Sequence, residues 1–419
     1  MNIWMITNTF TPFVGGVTRS VVAFTEECRA AGHRVMIVAP VYEGMPPNET
    51  DVIRIPALQK FNGSDFSFAL PALGTLAPHL EACRPDIVHS HHPHLLGHTA
   101  VRIAARVGCP LVFTHHTRYE HYVHYVPTGA SRLREFVIAL VTGYCNLCDC
   151  VIAPSRSAAL ILRERGVRTP IEILPTGVDV RRFANGDGPA FRRSHRIPQT
   201  SFVVGYVGRL APEKNLAFLA EAVSAHVARA RCGHFLVVGA GPSAKEIRDV
   251  FLRDGIRKRL HLMGSLEGQD LVDAYHAMDV FVFASCSETQ GMVLTEAMAA
   301  GKPVVALDGP GVREVVRDGG NGRLLFSDRT DDFAAAIGAM ESASCRERRQ
   351  LAQAARETAE RFSMGRSGRK LLRIYERLLR RQRSGPKDES VWHHAREEIR
   401  VEWELLKNMA GAMGHAMRK

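Results

Sequence analysis

The sequence predicts an α/β protein made of two Rossmann-like domains, each a parallel sheet with helices on both faces. The chain has 419 residues, which exceeds one ordinary hydrophobic core and therefore indicates two domains. Short apolar runs alternate with amphipathic segments through the first half, and the same alternation restarts in the second half. Buried parallel strands have this continuous apolar character because helices cover both faces of their sheet.

The elements follow in order along the chain. In the first half, strands are predicted for NIWMIT, RVMIVAP, DIVHSH, PLVFTHH, CVIAPS and EILPTG. Segments such as VTRSVVAFTEECRAAG separate them and predict helices. Residues 185–200 break the pattern with Gly, Pro and charge, which predicts a linker. In the second half, strands are predicted for FVVGYVGRL, HFLVVGAG, LHLMGSL, VFVFAS, KPVVAL and GRLLF.

The predicted organisation is an N-terminal domain over residues 1–185 and a C-terminal domain over residues 186–365. Residues 366–383 predict a basic helix that crosses back to the N-terminal domain, and residues 384–419 predict a helical tail. Two such sheets facing each other predict a ligand in the cleft between them, at the carboxyl ends of the strands.

The charge balance favours anionic partners. The net charge is +11 and the pI is about 9.4, as expected for a protein that meets phosphorylated ligands, nucleic acid or acidic lipid. Between Arg361 and Arg383, nine Lys and Arg residues accompany one acid, Glu376. The start, MNIWMITNTF, predicts a strand and not a signal peptide. The odd number of scattered cysteines predicts reduced thiols and a cytoplasmic location.

Three patterns partly match metal or dinucleotide sites, but each lacks residues that such a site requires. CNLCDC has no second cysteine pair, and the histidine-rich segments HSHHPHLLGH and FTHHTRYEHYVHY match no standard metal spacing. VVGAGPSA lacks the acidic residue that a dinucleotide site needs after the next strand. The sequence also contains no Asp-x-Asp, so we expect no metal and no cofactor.

Three further segments carry groups suited to a diphosphate ligand. PFVGGVTRSV places Gly15 and Gly16 before a helix, whose first N–H groups can meet a phosphate; an ordinary strand–helix turn is the alternative. GYVGRLAPEKN supplies Arg209 and Lys214 in one loop. SETQGMVLTEAMAAGKPVVA places Glu288 in a turn and Glu296 inside a helix rich in small residues.

Together these segments resemble retaining nucleotide-sugar glycosyltransferases of the GT-B architecture, in family 4, which includes bacterial sucrose synthases and phosphatidylinositol mannosyltransferases. The resemblance runs from about Met1 to Arg383. It rests on GGV, THHT, SRSAALILRERG, ILPTGVD, GRLAPEKN and the Glu-x7-Glu of ETQGMVLTEAMAAGKPVVA, in that order. The tail after Ser384 lies outside it. The resemblance implies that the N-terminal domain, residues 1–185, binds the acceptor and that the C-terminal domain, residues 186–365, binds the nucleotide sugar.

The resemblance implies a role for each matching residue on the donor side. Glu288 holds hydroxyls of the donor sugar, and Glu296 accepts the ribose hydroxyls. Arg209 and Lys214 stabilise the departing diphosphate by electrostatics. The backbone N–H groups from Gly291 through Met292 to Val293 meet the diphosphate, and the base is contacted near Ser265 and Leu266.

On the acceptor side, the resemblance places His116 beside the anomeric carbon and the sugar 6-hydroxyl, with His115 as the alternative. Gly15, Gly16 and Thr18 are assigned to substrate binding at the first helix. The predicted catalytic residues are therefore His116, Glu288, Arg209 and Lys214. The nucleotide sugar is a co-substrate, so neither a cofactor nor a metal is implied.

The acceptor is suggested by THHTRYEHYVHYVP, which is similar to the corresponding segment of bacterial diacylglycerol glucosyltransferases. ASRLREFVIALV pairs Arg132 and Arg134 with an apolar helical stripe, which suits a membrane surface; packing in the core is the alternative. The predicted function is retaining transfer of a hexose, glucose from UDP-glucose, to a lipid such as diacylglycerol. The predicted location is peripheral, on the inner face of the cell membrane.

Two alternatives stay open at this point. A soluble or polysaccharide acceptor, including mannosylation from GDP-mannose, fits the same motifs. A nucleic-acid binder would fit the basic charge, but the sequence shows no stacked aromatic or recognition-helix motif, and Glu288 and Glu296 would have no role. No nucleic-acid partner is therefore expected. The donor base, the acceptor, the role of the tail and the oligomeric state are not determined by the sequence.

Overall fold

The computed structural model describes residues 1–58, 68–69, 73–121, 130–285, 287–383 and 400–412. The chain divides into two compact units. The first comprises Met1–Thr176 and the described part of Gly365–Lys419, and the second comprises Gly177–Met364. The sequence prediction places the domain boundary later, after residue 185.

The first unit is built on a seven-stranded parallel sheet with the order β3-β2-β1-β6-β7-β8-β9. A short antiparallel pair, β4 and β5, lies outside it. The strands are β1 (Asn2–Ile6), β2 (Arg34–Pro40), β3 (Val52–Ile55), β4 (Ala57–Leu58), β5 (Phe68–Ala69), β6 (Ile87–Ser90), β7 (Leu111–Thr114), β8 (Cys150–Ala153) and β9 (Ile171–Ile173). The six strands predicted for this half are confirmed, and the edge strand β3 was not predicted.

Five helices alternate with these strands: α1 (Gly16–Ala30), α2 (Leu73–Ala82), α3 (Leu96–Val107), α4 (Ala130–Asn146) and α5 (Arg156–Glu164). Local sequence explains where several of them begin and end. Ser155 caps α5 by accepting a hydrogen bond from the backbone N–H of Ala158, which satisfies a donor that the helix leaves free. Gly108 ends α3 in the left-handed conformation, at φ 68°, where glycine has no steric penalty.

The second unit is built on a six-stranded parallel sheet with the order β12-β11-β10-β13-β14-β15. Its strands are β10 (Phe202–Val207), β11 (Gly233–Val238), β12 (Leu260–Leu262), β13 (Val280–Phe283), β14 (Val304–Leu307) and β15 (Gly322–Leu325). All six were predicted. Every residue of β10 and of β13 is buried, as expected for central strands covered by helices on both faces.

The helices of the second unit are α6 (Val180–Ala184), α7 (Gly188–Ser194), α8 (Leu216–Arg229), α9 (Ala244–Arg253), α10 (Gly268–Ala277), α11 (Met292–Ala299), α12 (Thr330–Ser342) and α13 (Cys345–Arg361). The prediction of a linker at residues 185–200 is wrong, because this segment contains α7. Asp187 caps α7 by accepting from the Ala190 N–H. Phe191 and Ile197 are buried in the core of the second unit, so apolar burial holds the segment in place.

The basic segment returns the chain to the first unit as α14 (Met364–Arg383). One face of α14 is buried through Leu371, Ile374 and Tyr375. On its other side, Arg377 pairs with Glu172 at 2.6 Å. The apolar stripe of this basic helix therefore packs on protein, while Arg369, Arg373 and Arg380 are exposed.

The described part of the tail, residues 400–412, is helical. Val401 and Leu405 are buried in the core of the first unit, and Glu402 pairs with Arg102 of α3. Within the described residues, no helix is both long enough and apolar enough to cross a membrane.

Candidate functional site

Two loops at the carboxyl ends of neighbouring strands carry the predicted donor residues. Lys214 ends the short helical turn Pro212–Lys214 after β10, and Glu288 follows β13. The Lys214 Nζ donates to Glu288 Oε1 at 2.5 Å. Both side chains are largely buried, at 16% and 18% exposure. The structure thus brings together two predicted residues that are 74 positions apart.

Arg209 lies in the same loop as Lys214 and also faces a carboxylate. One of its guanidinium N–H groups donates to Glu213 Oε1 at 2.5 Å, while half of the Arg209 side chain stays exposed. The Ser287 hydroxyl donates to the Glu213 backbone carbonyl at 3.2 Å, which joins the two loops. Each predicted cation is therefore held by an acid, and the paired charges form one network at this edge of the sheet.

The buried Tyr206 of β10 contacts the Arg209 loop. Burial and the nearby carboxylates of Glu288 and Glu213 raise the pKa of Tyr206 well above its usual value. Its hydroxyl therefore stays protonated, and it donates to the Arg209 backbone carbonyl at 3.3 Å.

Helix α11 begins directly after the Glu288 loop. Gly291 precedes its first residue with φ 75°, a left-handed conformation that favours glycine. The N–H groups of the first turn have no acceptor inside a helix, and a helix N-terminus attracts anions. The predicted run Gly291, Met292 and Val293 therefore lies at the start of α11, where backbone donors are available to a phosphate.

Glu296 lies one turn inside α11 and is 5% exposed. Its Oε2 accepts a hydrogen bond from the hydroxyl of Tyr275 at 2.7 Å. Tyr275 belongs to α10 and is fully buried. Sequence reasoning missed this residue, because only the tertiary fold brings the Tyr275 hydroxyl within hydrogen-bond distance of Glu296.

Ser265 and Leu266 follow β12, at the same carboxyl edge as the other predicted donor residues. Ser265 is exposed and Leu266 is partly buried. The glycines of VVGAGPSA have a packing role nearby. A Cβ atom at Gly239 would lie 1.9 Å from the Gly208 carbonyl oxygen, and one at Gly241 would lie 2.3 Å from the Leu210 carbonyl oxygen. Close approach to the Arg209 loop accounts for both glycines.

In the first unit, Gly15 and Gly16 lie at the start of α1. Gly15 is extended, at φ −169°, so its backbone does not require glycine. A Cβ at Gly16 would meet no atom within 4 Å, which leaves open space beside the helix start. Thr18 is buried, and its hydroxyl has no hydrogen-bond partner among the described residues.

His116 is part of a chain of histidines on one side of the first sheet. A hydrogen bond of 2.9 Å joins His116 Nε2 and His91 Nδ1. The His91 ring stacks on His89 with ring centroids 4.2 Å apart. His89 contacts the Tyr375 hydroxyl at 2.6 Å and the Thr114 hydroxyl at 2.7 Å. Sequence reasoning did not anticipate that His89, His91 and Tyr375 support His116.

Burial controls the charge of these rings. It lowers the pKa of His89 to about 3, with a further contribution from His116. It also lowers the pKa of His91 and of His116 well below the usual value, and the neighbouring histidines act in the same direction. These three histidine rings are therefore neutral at pH 7.

No group of three or more His, Cys, Asp or Glu side chains in the described part of the chain is arranged to hold a metal ion. Cys145, Cys148 and Cys150 are buried free thiols. Burial raises the pKa of Cys145 and of Cys150 to about 12, so these thiols are protonated and pack as small apolar groups. Most of YEHYVHY, from residue 122 onward, lies outside the described residues.

Comparison with known proteins decides the family. Residues 14–182 match the model described as Glycosyltransferase Family 4, and residues 201–342 match the model described as Glycosyl transferases group 1. A GDP-mannose-dependent alpha-mannosyltransferase of Mycolicibacterium smegmatis is 30% identical over 365 residues, covering 85% of this chain and 92% of that relative. The chain belongs to glycosyltransferase family 4.

Other relatives of this family 4 glycosyltransferase include the alpha-monoglucosyldiacylglycerol synthase of Streptococcus pneumoniae. It is 27% identical over 343 residues, which cover 80% of this chain and 77% of that relative. The crystal structure of Anabaena Alr3699/HepE in complex with UDP-glucose superposes with a TM-score of 0.70 at 20% identity, covering 90% of this chain and 99% of that one. The GT-B fold and the assignment as a glycosyltransferase are thereby confirmed.

Proposed function

We propose that this glycosyltransferase moves glucose from UDP-glucose, with retention, to a membrane lipid such as diacylglycerol. The Lys214–Glu288 pair beside the start of α11 supports the transfer. It combines a cation for a departing diphosphate, a carboxylate for sugar hydroxyls and backbone donors for phosphate oxygens.

In the proposed reaction, the bond between the anomeric carbon and the diphosphate oxygen breaks first. Lys214, Arg209 and the N-terminus of α11 stabilise the negative charge that develops on the diphosphate. The acceptor hydroxyl forms the new bond on the same face of the sugar, and its proton passes to the departing diphosphate. By family resemblance, His116 contacts the transferred sugar.

We propose that transfer needs no divalent metal. The sequence lacks Asp-x-Asp, and the two cations near Glu288 supply the positive charge that a metal would otherwise provide. Activity should therefore persist in EDTA. Loss of activity in EDTA, restored by magnesium or manganese, would contradict this part of the proposal.

The lipid acceptor is supported by two relatives and by α4. The relatives from Streptococcus pneumoniae and Acholeplasma laidlawii are alpha-monoglucosyldiacylglycerol synthases. In α4, Arg132 and Arg134 are both exposed, and the residues that follow them from 136 to 140 are only partly buried. Exposed arginines beside apolar surface suit an anionic bilayer, so we propose a peripheral position on the inner face of the cell membrane.

The donor half of the proposal is tested by Lys214→Ala and Glu288→Ala. Each variant should lose nearly all transfer while circular dichroism stays unchanged. Lys245→Ala is the matched control, because Lys245 is also ion-paired in the second unit, with Asp249, but is 80% exposed. Full transfer by either site variant, or an equal loss in the control, would contradict the assignment.

The acceptor half is tested with radiolabelled UDP-glucose and diacylglycerol vesicles, followed by NMR of the product. An α-linked glucolipid is expected, and a β-linked product would refute retention. A GDP-mannose donor is the second candidate, favoured by the 30% identical mannosyltransferase. A parallel assay with GDP-mannose decides between the donors, and transfer only to a soluble glycan would refute the lipid acceptor.

A further inference from the structure

A cavity of about 160 Å³ lies at the amino ends of the strands in the second unit. Phe202 begins β10, Asp279 directly precedes β13 and Pro303 directly precedes β14, and all three residues line the cavity. The strands are parallel, so this edge of the sheet is opposite to the edge that carries Lys214 and Glu288. The cavity is therefore separate from the candidate donor site.

Lys302 places a positive charge in the wall of this cavity. Its Nζ donates to the His276 carbonyl at 3.0 Å, and Lys302 forms no ion pair with any described carboxylate. Burial lowers the pKa of Lys302 to about 8, although the nearby Asp279 acts in the opposite direction. Arg192 and Arg356 lower this pKa further. An enclosed cation costs free energy unless an anion compensates it.

Helix α13 adds two arginines at the same cavity. Arg348 and Ala352 line it, and Arg356 follows four residues later, so these three positions share one face of the helix. Gly301 also lines the cavity, and a Cβ atom there would lie 2.6 Å from Arg356 Nη2, which places this guanidinium beside the cavity wall. The Arg348 guanidinium donates to two backbone carbonyl oxygens. Neither arginine forms an ion pair within the described part of the chain.

The acids near the cavity do not neutralise these three cations. Asp279 Oδ2 accepts from the Arg192 guanidinium at 2.9 Å and from the Val203 backbone N–H at 2.7 Å. Glu341 of α12 lies 3.3 Å from His226, and burial raises the pKa of Glu341. The described residues therefore leave an excess of positive charge around the cavity.

We propose that this cavity is a second anion site, in which Lys302, Arg348 and Arg356 bind a phosphate group. Its volume is several times the roughly 30 Å³ that one water molecule occupies, so it admits a group with several oxygens. A tetrahedral oxyanion accepts from an ammonium and from guanidinium groups at the same time. Lys302 is partly buried and Arg348 is exposed, so solvent reaches the cavity from the α13 side. The site does not involve the donor or the acceptor, and the inference is independent of the proposed transfer reaction.

The first test is isothermal titration calorimetry of the full chain with inorganic phosphate. Lys302→Met keeps the apolar stem and removes the charge, so it should weaken phosphate binding about tenfold. Arg356→Gln replaces an exposed side chain that folding does not need, and it should weaken binding about threefold. Lys245→Met is the matched control, because it removes the same charge from an 80% exposed position of the second unit. Lys214→Ala alters only the candidate donor site. Both of these variants should bind phosphate in the cavity as the wild type does.

Three results of this titration would overturn the inference. The wild type would bind no phosphate at millimolar concentrations, or Lys302→Met and Arg356→Gln would both keep its full affinity, or binding would be lost in Lys214→Ala alone. The source of the phosphate group is tested by titrating glycerol 3-phosphate in parallel. Tighter binding of this ester would assign the site to a phosphorylated metabolite, whereas equal or tighter binding of inorganic phosphate would assign it to the free ion.

The second test uses sulfate, whose own charge does not change between pH 7 and pH 9. With a pKa of about 8, the protonated fraction of Lys302 falls about tenfold over this range. The neighbouring His276 stays neutral throughout, because burial lowers its pKa, and Asp279, Arg192 and Arg356 keep their charges. The affinity for sulfate should therefore fall about tenfold from pH 7 to pH 9 in the wild type and stay constant in Lys302→Met. A wild-type affinity that does not change with pH would overturn the inference.

Discussion

Tyr275 donates its hydroxyl hydrogen to Glu296 at 2.7 Å, and Tyr275→Phe is expected to weaken donor binding. Both side chains are buried, so water cannot replace the missing donor at full strength. Hydrogen bonds to charged groups contribute about 1.5–3 kcal/mol. If about half of the upper value is expressed in binding, the loss amounts to roughly 1.5 kcal/mol, or about tenfold in affinity.

We therefore expect the KM for UDP-glucose and the Kd of UDP to rise about tenfold in Tyr275→Phe. The value of kcat should change by less than about threefold, because Glu296 is assigned to the nucleotide and not to the reacting carbon. Initial-rate kinetics give the KM and kcat, and isothermal titration calorimetry gives the Kd of UDP.

Tyr144→Phe is the matched control. Tyr144 is also fully buried, and its hydroxyl donates to the Gly97 carbonyl at 3.0 Å in the first unit. Its loss should cost about 1 kcal/mol of folding free energy and leave UDP binding unchanged. Unchanged UDP affinity in Tyr275→Phe, or the same loss in Tyr144→Phe, would refute the role of Tyr275 in positioning Glu296.

Three further outcomes are expected. The pKa of His115 is about 4 when folded and 6.5 for the ordinary side chain, so its stabilisation is complete above pH 6.5 and is lost as the pH falls towards 4. When the pH is lowered from 7 to 5, the free energy of unfolding should fall by about 2 kcal/mol more in the wild type than in His115→Gln. Urea titrations at the two pH values measure this, and an equal fall in both proteins would contradict it. Gly291→Ala forces alanine to φ 75° and should cost about 1 kcal/mol and raise the donor KM; wild-type kinetics would show that the left-handed turn is not needed. Reversing Arg132 and Arg134 to Glu should weaken sedimentation with anionic vesicles by up to about 1 kcal/mol per arginine, whereas unchanged binding would exclude α4 from the membrane contact.

The sheets could be predicted from the sequence because their strands are buried on both faces. A run such as FVVGYV is apolar throughout, and it forms β10 with every residue buried. The edge strand β3 alternates between buried and partly buried residues, so it lacks this signal. The linker prediction for residues 185–200 was wrong because the composition of this segment is misleading. Its Gly, Pro and charges resemble a linker, but Arg192 satisfies its guanidinium against the Ala277 carbonyl and Asp279.

From the sequence, only those site residues could be predicted that lie together in one continuous motif. Glu288, Gly291 and Glu296 occur in one segment, so their spacing carries information. The Tyr275 hydroxyl of α10 reaches Glu296 of α11, and His91 after β6 reaches His116 after the neighbouring β7, only in the folded chain. No local pattern distinguishes these supporting residues from ordinary core residues.

The Lys214–Glu288 pair shows what the fold adds to the motifs. From the sequence, Lys214 was expected to neutralise a diphosphate and Glu288 to hold sugar hydroxyls, as two separate tasks. The structure joins them at 2.5 Å in a largely buried position. Before the donor arrives, each charge satisfies the other, which keeps both side chains in place without leaving an unpaired charge in the protein. Under the proposed function, a nucleotide sugar brings a phosphate for the cation and hydroxyls for the carboxylate. The donor then replaces one satisfied arrangement with another, so loss of either side chain should affect both contacts.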